Sequence, residues 1–393
     1  MSNPASILPT GWKLLSVKDA FAIRNNLRKP ISQEEREKIQ GEYPYYGPTK
    51  AQGYISSYEQ DGKFALIGED GDHFLKYQNI SMTQLISGKC TVNNHAHVVQ
   101  GTEICTAEWF YYFFMHKELT SFLTRQGAGR FKLNKAALEK IPVLVPPVAE
   151  QTKIAQILST WDKAIATTEH LIANSQQQKQ ALMQQLLTGQ KRLQGFSQKW
   201  SEASVASCVL GSSLRNSNTR LGVEDVMSVN KTEGMIPMRE QTIGKSIDRY
   251  KIVRPGWFAY NPMRINVGSI CRWAKENDCL VSPDYVVFEC NEDVLLGSYF
   301  DHFRQSEPWA SYMDNAGNGS VRVRIYLNDL SQLEIPLPSL AEQQKIAQVL
   351  STADAEITNL QAQLAKLKLE KKALMQQLLT GQRRVKPDAD AAA

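Results

Sequence analysis

The chain has 393 residues, of which 42% are apolar and 22% charged, and its formal net charge is +5. This composition excludes wholesale disorder, and the length allows two or three domains that each bury a core. The longest apolar run, 109–115, is much shorter than the roughly 20 residues of a membrane span, and residues 1–9 do not resemble a signal peptide. Six cysteines without a CxxC pair argue against a disulfide framework or a zinc site. We therefore expect a reduced, cytoplasmic protein without a membrane partner.

Residues 1–148 are predicted to form a first globular domain, and residues 196–340 a second. Each contains a β-branched, strand-like run, at 91–99 in the first and at 281–289 in the second. Helix-like stretches such as 107–123 accompany the strands. The mixture predicts an α+β fold for both domains.

Residues 149–195 and 341–386 are predicted to be two copies of one helical segment. At an offset of 192 residues, 25 of the 44 positions from 149 to 192 are identical, which marks an internal duplication. Each copy follows a proline-rich entry and closes at a threonine–glycine pair, as expected for the start and the end of a helix. The last residues, 387–393, read as a flexible tail.

Apolar residues in the second copy recur at alternating spacings of three and four, which is the pattern of a coiled-coil seam. The seam positions are Ile357, Leu360, Leu364, Leu367, Lys371, Leu374 and Leu378, and their equivalents in the first copy are Ile165, Thr168, Ile172, Ser175, Lys179, Leu182 and Leu186. A lysine occupies the same position in both seams, a polar intrusion of the kind that fixes register. Two unpaired surface helices are the alternative, but the matched seams favour mutual pairing.

Two globular domains and two matched helices, duplicated in tandem, predict an approximate two-fold relation. The simplest closure pairs the helices antiparallel. The expected architecture is therefore α+β, with two globular domains joined by two long helices that form an antiparallel coiled coil.

Local basic patches are the candidates for contact with nucleic acid, because no segment is strongly basic throughout. Residues 119–138 and 249–275 carry several Lys and Arg side chains and no acidic residue. Arg and Lys contact phosphates, while Arg, Asn, Gln and Lys read base edges. The candidate DNA-binding residues are Asn93, Asn94, His97, Arg125, Arg130 and Lys132 in the first domain, and Tyr260, Asn261, Arg264, Asn266, Arg272, Lys275, Arg322 and Arg324 in the second. The structural alternatives are solvated faces for the basic runs, core packing for the aromatic residues and turn capping for the asparagines.

Several motifs point to a known family when they are taken together. They are AEQxKIAQxLST at 149–160 and 341–352, ALMQQLLTGQ at 181–190 and 373–382, NNHAHVV at 93–99, and GWFAYNPMRINVG at 256–268. Gly11-Trp12 looks like a domain opening, and Trp200 marks a candidate second opening. Over essentially its whole length, the chain resembles the specificity (S) subunit of a type I restriction–modification system.

The resemblance implies a subunit that binds and directs, without catalytic residues and without a cofactor of its own. Each globular domain would be a target recognition domain that reads one half of a bipartite double-stranded DNA sequence. The helical segments would be the spacer and the docking surface for two modification (M) subunits, which together with S form an adenine methyltransferase. Restriction (R) subunits would add ATP-dependent cleavage. S-adenosylmethionine, ATP and Mg are therefore expected on the partner subunits.

Two other classes of function stay open. The first is a DNA-modifying enzyme: Asn261-Pro262-Met263-Arg264 begins like the Asn-Pro-Pro-aromatic loop of amino-methyltransferases, but lacks the second proline and the aromatic residue. No GxxxxGK[ST] loop is present, and His95 and His97 have no third metal ligand near them in sequence. The second is a coiled-coil adaptor that binds proteins and not DNA, which an absence of salt-dependent DNA binding would favour.

Overall fold

The computed structural model describes residues 8–126, 130–218, 220–316 and 324–386. These residues divide into two compact units. Unit 1 combines the chain up to Thr168 with the chain from Gln363 onward, and unit 2 extends from Glu169 to Ala362. Each unit thus holds one globular region and one part of each long helix.

The largest sheet of unit 1 has six strands in the order β2-β7-β5-β6-β3-β4. The strands of this unit are β1 (Lys13–Ser16), β2 (Ala22–Ile23), β3 (Gln40–Tyr46), β4 (Ala51–Ile55), β5 (Gln60–Gly68), β6 (Thr83–Val92), β7 (Ala96–Gln100), β8 (Thr124–Gln126), β9 (Arg130–Lys132) and β10 (Pro142–Val145). β5 pairs antiparallel with both β6 and β7, so it is a central strand. β1 pairs with β10, and β8 pairs with β9.

The core of unit 1 forms where an aromatic helix packs on the central strands. The helices that begin in this unit are α1 (Val17–Ala20), α2 (Gln33–Lys38), α3 (Ala107–Phe114), α4 (Lys135–Lys140) and α5 (Val148–Leu187). Trp109, Phe110 and Phe114 of α3 are fully buried in one cluster with Ala65 and Ile67 of β5. Aromatic side chains bury much apolar area each, so α3 supplies a large share of the hydrophobic stabilisation.

Unit 2 follows the same plan with smaller sheets. Its strands are β11 (Ser201–Ser204), β12 (Val209–Ser212), β13 (Met227–Asn230), β14 (Gly234–Pro237), β15 (Lys251–Val253), β16 (Phe258–Tyr260), β17 (Ile270–Arg272), β18 (Cys279–Val281), β19 (Val286–Cys290) and β20 (Glu334–Leu337). Four of these strands form a sheet in the order β12-β19-β16-β17. β11 pairs with β20, as β1 pairs with β10 in unit 1.

The core of unit 2 again joins a sheet to a helix. The remaining helices are α6 (Gly297–Phe303), α7 (Glu307–Ala316) and α8 (Leu340–Leu379). Phe258 of β16 stacks on Phe288 of β19 at a ring-centroid distance of 5.1 Å, and Phe300 of α6 meets both rings edge-on. α6 and α3 hold equivalent positions, because the backbone N–H of Leu296 and that of Thr106 each bind a buried glutamine of the following long helix.

The two long helices are built from the repeated segments. α5 and α8 each contain 40 residues, rich in Ala, Gln, Leu and Lys, which have high helix propensity. Each helix is followed by a glycine with positive φ, Gly189 at 71° and Gly381 at 73°, as the left-handed C-terminal cap requires. The predicted seam positions of both copies are buried or half-buried.

The helix segments inside each unit run antiparallel. In unit 1, Glu150 of α5 pairs with Arg384 just after α8, and Asp162 further along α5 pairs with Lys371, earlier in α8. In unit 2, Glu342 of α8 pairs with Arg192, and Asp354 pairs with Lys179 of α5. Adding 192 to one member's number gives its counterpart in the other unit, so the duplication is preserved contact by contact. The predicted α+β architecture with antiparallel long helices is confirmed.

Candidate nucleic-acid interface

The same loop position recurs in the two units and gathers several of the predicted DNA-binding residues. In unit 1 a loop begins after β5, and the Glu69 carbonyl accepts a hydrogen bond of 2.7 Å from the backbone of Leu133. In unit 2 a loop begins after β16, and the Pro262 carbonyl accepts a hydrogen bond of 3.0 Å from the backbone of Ile325. Because β5 pairs with β7 as β16 pairs with β19, the two loops leave equivalent strands.

The unit 2 loop, residues 261–269, presents a basic and partly apolar surface. The Asn261 side-chain oxygen accepts a 3.0 Å hydrogen bond from the backbone of Met263, so Asn261 shapes the turn. Arg264 and Asn266 are exposed, as predicted for residues that reach a ligand. Met263 is also 46% exposed.

Two more cations lie beside this loop. Arg324 is exposed and adjoins Ile325, the residue that binds the loop backbone. Lys231 lies against Gly268, where an added Cβ would come within 3.2 Å of the lysine Cγ. We call Lys231, Arg264, Asn266 and Arg324 the loop cluster. Sequence analysis missed Lys231, whose only local signal is the turn-like sequence Asn-Lys-Thr-Glu-Gly between β13 and β14. Arg322 lies outside the described residues.

Lys251 of the 249–275 patch lies on β15, while Arg254, Arg272 and Lys275 lie at the end of the β16–β17 pair opposite the loop cluster. There the Arg254 guanidinium lies 5.3 Å from the centroid of the Trp257 ring, and the Lys275 ammonium lies 5.4 Å from that of Trp273. Arg272 is half-buried and donates a 3.3 Å hydrogen bond to the Gly256 carbonyl. The predicted patch is therefore two separate basic surfaces.

Tyr260 does not belong to either surface. Its side chain is fully buried within β16, and burial raises the pKa of its hydroxyl far above the usual value. β16 is paired on both edges, with β17 and β19, and the Tyr260 side chain packs in the core cluster of unit 2. The prediction that Tyr260 contacts DNA is wrong for this fold.

His97 of unit 1 is also a core residue. It is 1% exposed; its Nε2 lies 2.7 Å from the Leu133 carbonyl and its Nδ1 lies 2.8 Å from the Asn25 side-chain nitrogen. This pattern assigns the proton to Nε2, which donates to the carbonyl, while Nδ1 accepts. Burial lowers the pKa of His97 and keeps the ring neutral. Both ring nitrogens are occupied, so His97 holds Asn25 and Leu133 against β7 and has no ring nitrogen left to read a base.

Asn93 has a structural role, whereas the neighbouring Asn94 is exposed. Asn93 is 5% exposed; its oxygen accepts a 2.8 Å hydrogen bond from the backbone of His95 and its nitrogen donates to Gln52 at 3.1 Å. Asn93 is therefore a turn cap, the structural alternative weighed for it. Asn94 is exposed beside it. Of this pair, only Asn94 can reach a ligand.

The predicted basic DNA-binding residues of unit 1, Arg125, Arg130 and Lys132, lie on the paired strands β8 and β9. Lys132 binds the Glu69 carboxylate at 3.2 Å, and Arg28 binds it at 2.6 Å. Burial by itself would raise the pKa of Glu69, but these hydrogen bonds and the nearby His97 outweigh it and lower the pKa. Arg125 is exposed and covers the Phe131 ring at 5.2 Å. Arg130 opens β9, but its side chain lies outside what the structure describes.

The junction between each globular region and its helices is built from matched polar contacts. Trp12 donates from its indole to Glu150 at 3.0 Å, and Trp200 donates to Glu342 at the same distance. Both carboxylates are almost fully buried and are also held by arginine. Gln151 and its counterpart in unit 2 donate to backbone carbonyls of the globular regions. These contacts explain why the AEQ motif is repeated without change.

The described residues contain neither a metal-binding cluster nor a membrane-spanning helix. No group of three or more His, Cys, Asp or Glu side chains among them could hold a metal ion. No helix in the described ranges has the length and apolar character to cross a bilayer.

A family model described as the type I restriction modification DNA specificity domain matches residues 9–175 and 274–369. The chain belongs to this family of type I specificity subunits.

Two relatives are named as specificity subunits, and a solved structure shares the fold. A Haemophilus influenzae protein named as a type I restriction enzyme specificity subunit is 28% identical over 363 residues, which is 86% of each chain. A Methanocaldococcus jannaschii protein named as the MjaX specificity subunit is 23% identical and covers 96% of this chain and 95% of its own. The crystal structure of an S subunit from M. genitalium matches with a TM-score of 0.62 at 12% identity, covering 96% of this chain and 98% of the other, which shows a shared fold.

Proposed function

We propose that this S subunit binds double-stranded DNA and reads a bipartite target, one half-site with each globular region. The observation that carries the proposal is the recurrence of one loop position in both units, with exposed basic or polar side chains at or beside it. In unit 2 the loop cluster supplies this surface. In unit 1 Asn94, Arg125 and the β8–β9 hairpin supply it.

The side chains suit a division between phosphate contact and base reading. Arg264 and Asn266 come from one loop. The Arg264 guanidinium has paired donors that suit a guanine edge, and the Asn266 amide has a donor and an acceptor that suit an adenine edge. Lys231 and Arg324 flank that loop and suit phosphate contact. The two loops differ in sequence, Glu69-Asp70-Gly71 in one and Pro262-Met263-Arg264 in the other, which supports different bases in the two half-sites.

The proposed partners follow from the helical repeats. Two copies of one helical surface suit two copies of one partner, and we assign them to M subunits, with R subunits joining the assembly. The S subunit itself supplies no catalysis in this proposal. S-adenosylmethionine, ATP and Mg are assigned to the partners, where methylation of adenine and ATP-dependent cleavage would take place.

The test is adenine methylation in a host that expresses this chain together with its M subunit, compared with a host that has M alone. A bipartite motif with an unread gap, present only with the chain, is the expected result. Expression of M together with a different S subunit is the control that shows M to be active. Methylation that does not depend on the chain would contradict the proposal. Methylation by the isolated chain would instead support an enzyme.

A further inference from the structure

A groove of about 640 Å³ runs along the surface of unit 1, between the start of α5 and the end of α8. Its apolar floor is formed by Ile157 and Trp161 of α5 and by Leu374 and Leu378 of α8. Trp161 is half-buried, so part of its indole ring is available to a partner.

The rim of this groove is mainly basic. Lys153, Arg383 and Lys386 line it, while Glu370 is an acidic residue at one side. A segment that fills the groove would therefore combine apolar side chains with flanking acidic ones. Such a segment gains apolar burial at the floor and electrostatic complementarity at the rim.

Unit 2 has the same arrangement of residues with one large difference. Val349 replaces Ile157, while Leu182 and Leu186 repeat Leu374 and Leu378, at the constant offset of 192. Trp161, however, is replaced by Ala353, which is also half-buried. The two surfaces therefore carry matching aliphatic residues on antiparallel helix segments, but only the surface of unit 1 offers an indole ring.

We infer that the two partner surfaces of this S subunit have unequal affinity for the same partner, with the Trp161 surface the stronger. The inference rests on the proposed function, because it takes the partner to be the M subunit of the same system. Duplication of the floor residues supports one kind of partner bound twice. A half-buried tryptophan in an apolar groove is typical of the few residues that dominate a protein interface.

The consequence is ordered assembly. The first M subunit binds unit 1, and the second binds unit 2 with lower affinity. A complex of one M and one S subunit accumulates at limiting M, beyond the level expected for two identical sites.

The test is a titration of full-length S with M, followed by native mass spectrometry to count the complexes with one and with two M subunits. Wild-type S is expected to show two unequal steps. Trp161→Ala is expected to weaken the first step roughly thirty-fold, which is the effect of losing a dominant interface residue. The two dissociation constants of this variant should then have the ratio expected for two identical sites. Ala353→Trp is expected to strengthen the second step.

Leu210→Ala is the control, because Leu210 is exposed on β12, away from both surfaces, and it should change neither step. Statistical steps in the wild type, or an unchanged ratio in Trp161→Ala, would overturn the inference while leaving two docked M subunits intact. No binding of M to wild-type S would instead remove the proposed function itself. If Trp161→Ala lowers the melting temperature, Ala353→Trp decides: a ratio closer to statistical supports the inference, and an unchanged ratio overturns it.

Discussion

His302 and Tyr112 occupy equivalent positions on α6 and α3, and they differ in their capacity to take up a proton. Tyr112 donates a 2.9 Å hydrogen bond to Asp162. His302 is 4% exposed, and its Nε2 lies 3.0 Å from the Ser351 hydroxyl. Its buried Nδ1 has no hydrogen-bond partner in the described chain and lies 3.9 Å from Asp354.

This difference predicts a pH-dependent stability of unit 2. Burial is the largest influence on the pKa of His302 and lowers it. Asp301 and Asp354 raise the pKa, and Lys179 lowers it further. The unfolded chain takes up the proton near its ordinary pKa of about 6.5 and the folded chain does not, so stability falls as pH drops below about 6.5. His302→Tyr should reduce the loss of melting temperature between about pH 7.5 and about pH 5.5.

The converse exchange is the matched control. Tyr112→His should make unit 1 more sensitive to the same change of pH. His73, His97 and His116 of unit 1 also have lowered pKa values, so His302→Tyr reduces the slope without abolishing it. An identical pH slope in the wild type and in His302→Tyr would refute this account of His302.

Arg264 gives the second prediction at this scale. Arg264→Ala should weaken cognate DNA binding by the S–M complex by about 1–3 kcal/mol, the discrimination expected of one base-reading arginine. Arg254→Ala is the control: it lies at the far end of the β16–β17 pair, over Trp257, and should alter affinity less. Binding is measured by fluorescence anisotropy at one fixed salt concentration. Unchanged affinity for Arg264→Ala would remove Arg264 from the interface.

Residue patterns predicted exposure less well than they predicted position. The strand-like run predicted at 91–99 is divided by a turn in the structure: β7 begins at Ala96, so His97 lies on the strand and His95 lies in the turn before it. Local sequence could not show that Asn25 and Leu133 close over His97. Tyr260 lies in a basic, aromatic stretch that suits a DNA surface in sequence. Its burial follows from strand order, a long-range property that local spacing does not contain.

The long helices were predictable because their information is local and repeated. The seam and the glycine cap of each segment indicate a paired helix and its C-terminal end, and the tandem duplication indicates antiparallel pairing. The strands of unit 2 could not be predicted in the same way. Several are only three residues long, and they pair with strands far away in the sequence, as Val253 does with Cys279. The candidate loops depend on those pairings, so their equivalence became visible only in the fold.

The repeated Lys–Asp pairs yield a prediction at the scale of the helices. Lys371 has only 11% of its side chain exposed and pairs with Asp162, which is 37% exposed. Asp162→Ala leaves this lysine without its partner and should destabilise unit 1, by less than the roughly 3–5 kcal/mol of a fully buried pair because solvent screens the aspartate. Urea unfolding measures the change.

Lys371→Met is the companion variant, since an apolar residue of similar length avoids the buried charge and should cost less than Asp162→Ala. Lys179 and Asp354 allow the same comparison in unit 2. If Asp162→Ala proved as stable as the wild type, the pair would have no part in holding the helices in register.

At the scale of the whole chain, duplication explains both what is constant and what differs. The helices and their Trp–Glu–Arg junctions are repeated because each unit must attach a globular region and, as proposed, a partner in the same way. The globular regions keep a common plan of strands and helices but differ in their loops. A protein that reads two different half-sites with one assembly surface needs this combination of constant and variable parts.

The central claim is that the two units read separate halves of one target. It is tested most directly by methylation rates of the S–M complex on duplexes in which every base pair of the target is substituted in turn, for wild type, Arg264→Ala and Arg125→Ala. We expect Arg264→Ala to relax the preference at positions of one half-site only, and Arg125→Ala to affect only the other. Changes by both variants in the same half-site, or identical preferences in all three proteins, would contradict the account.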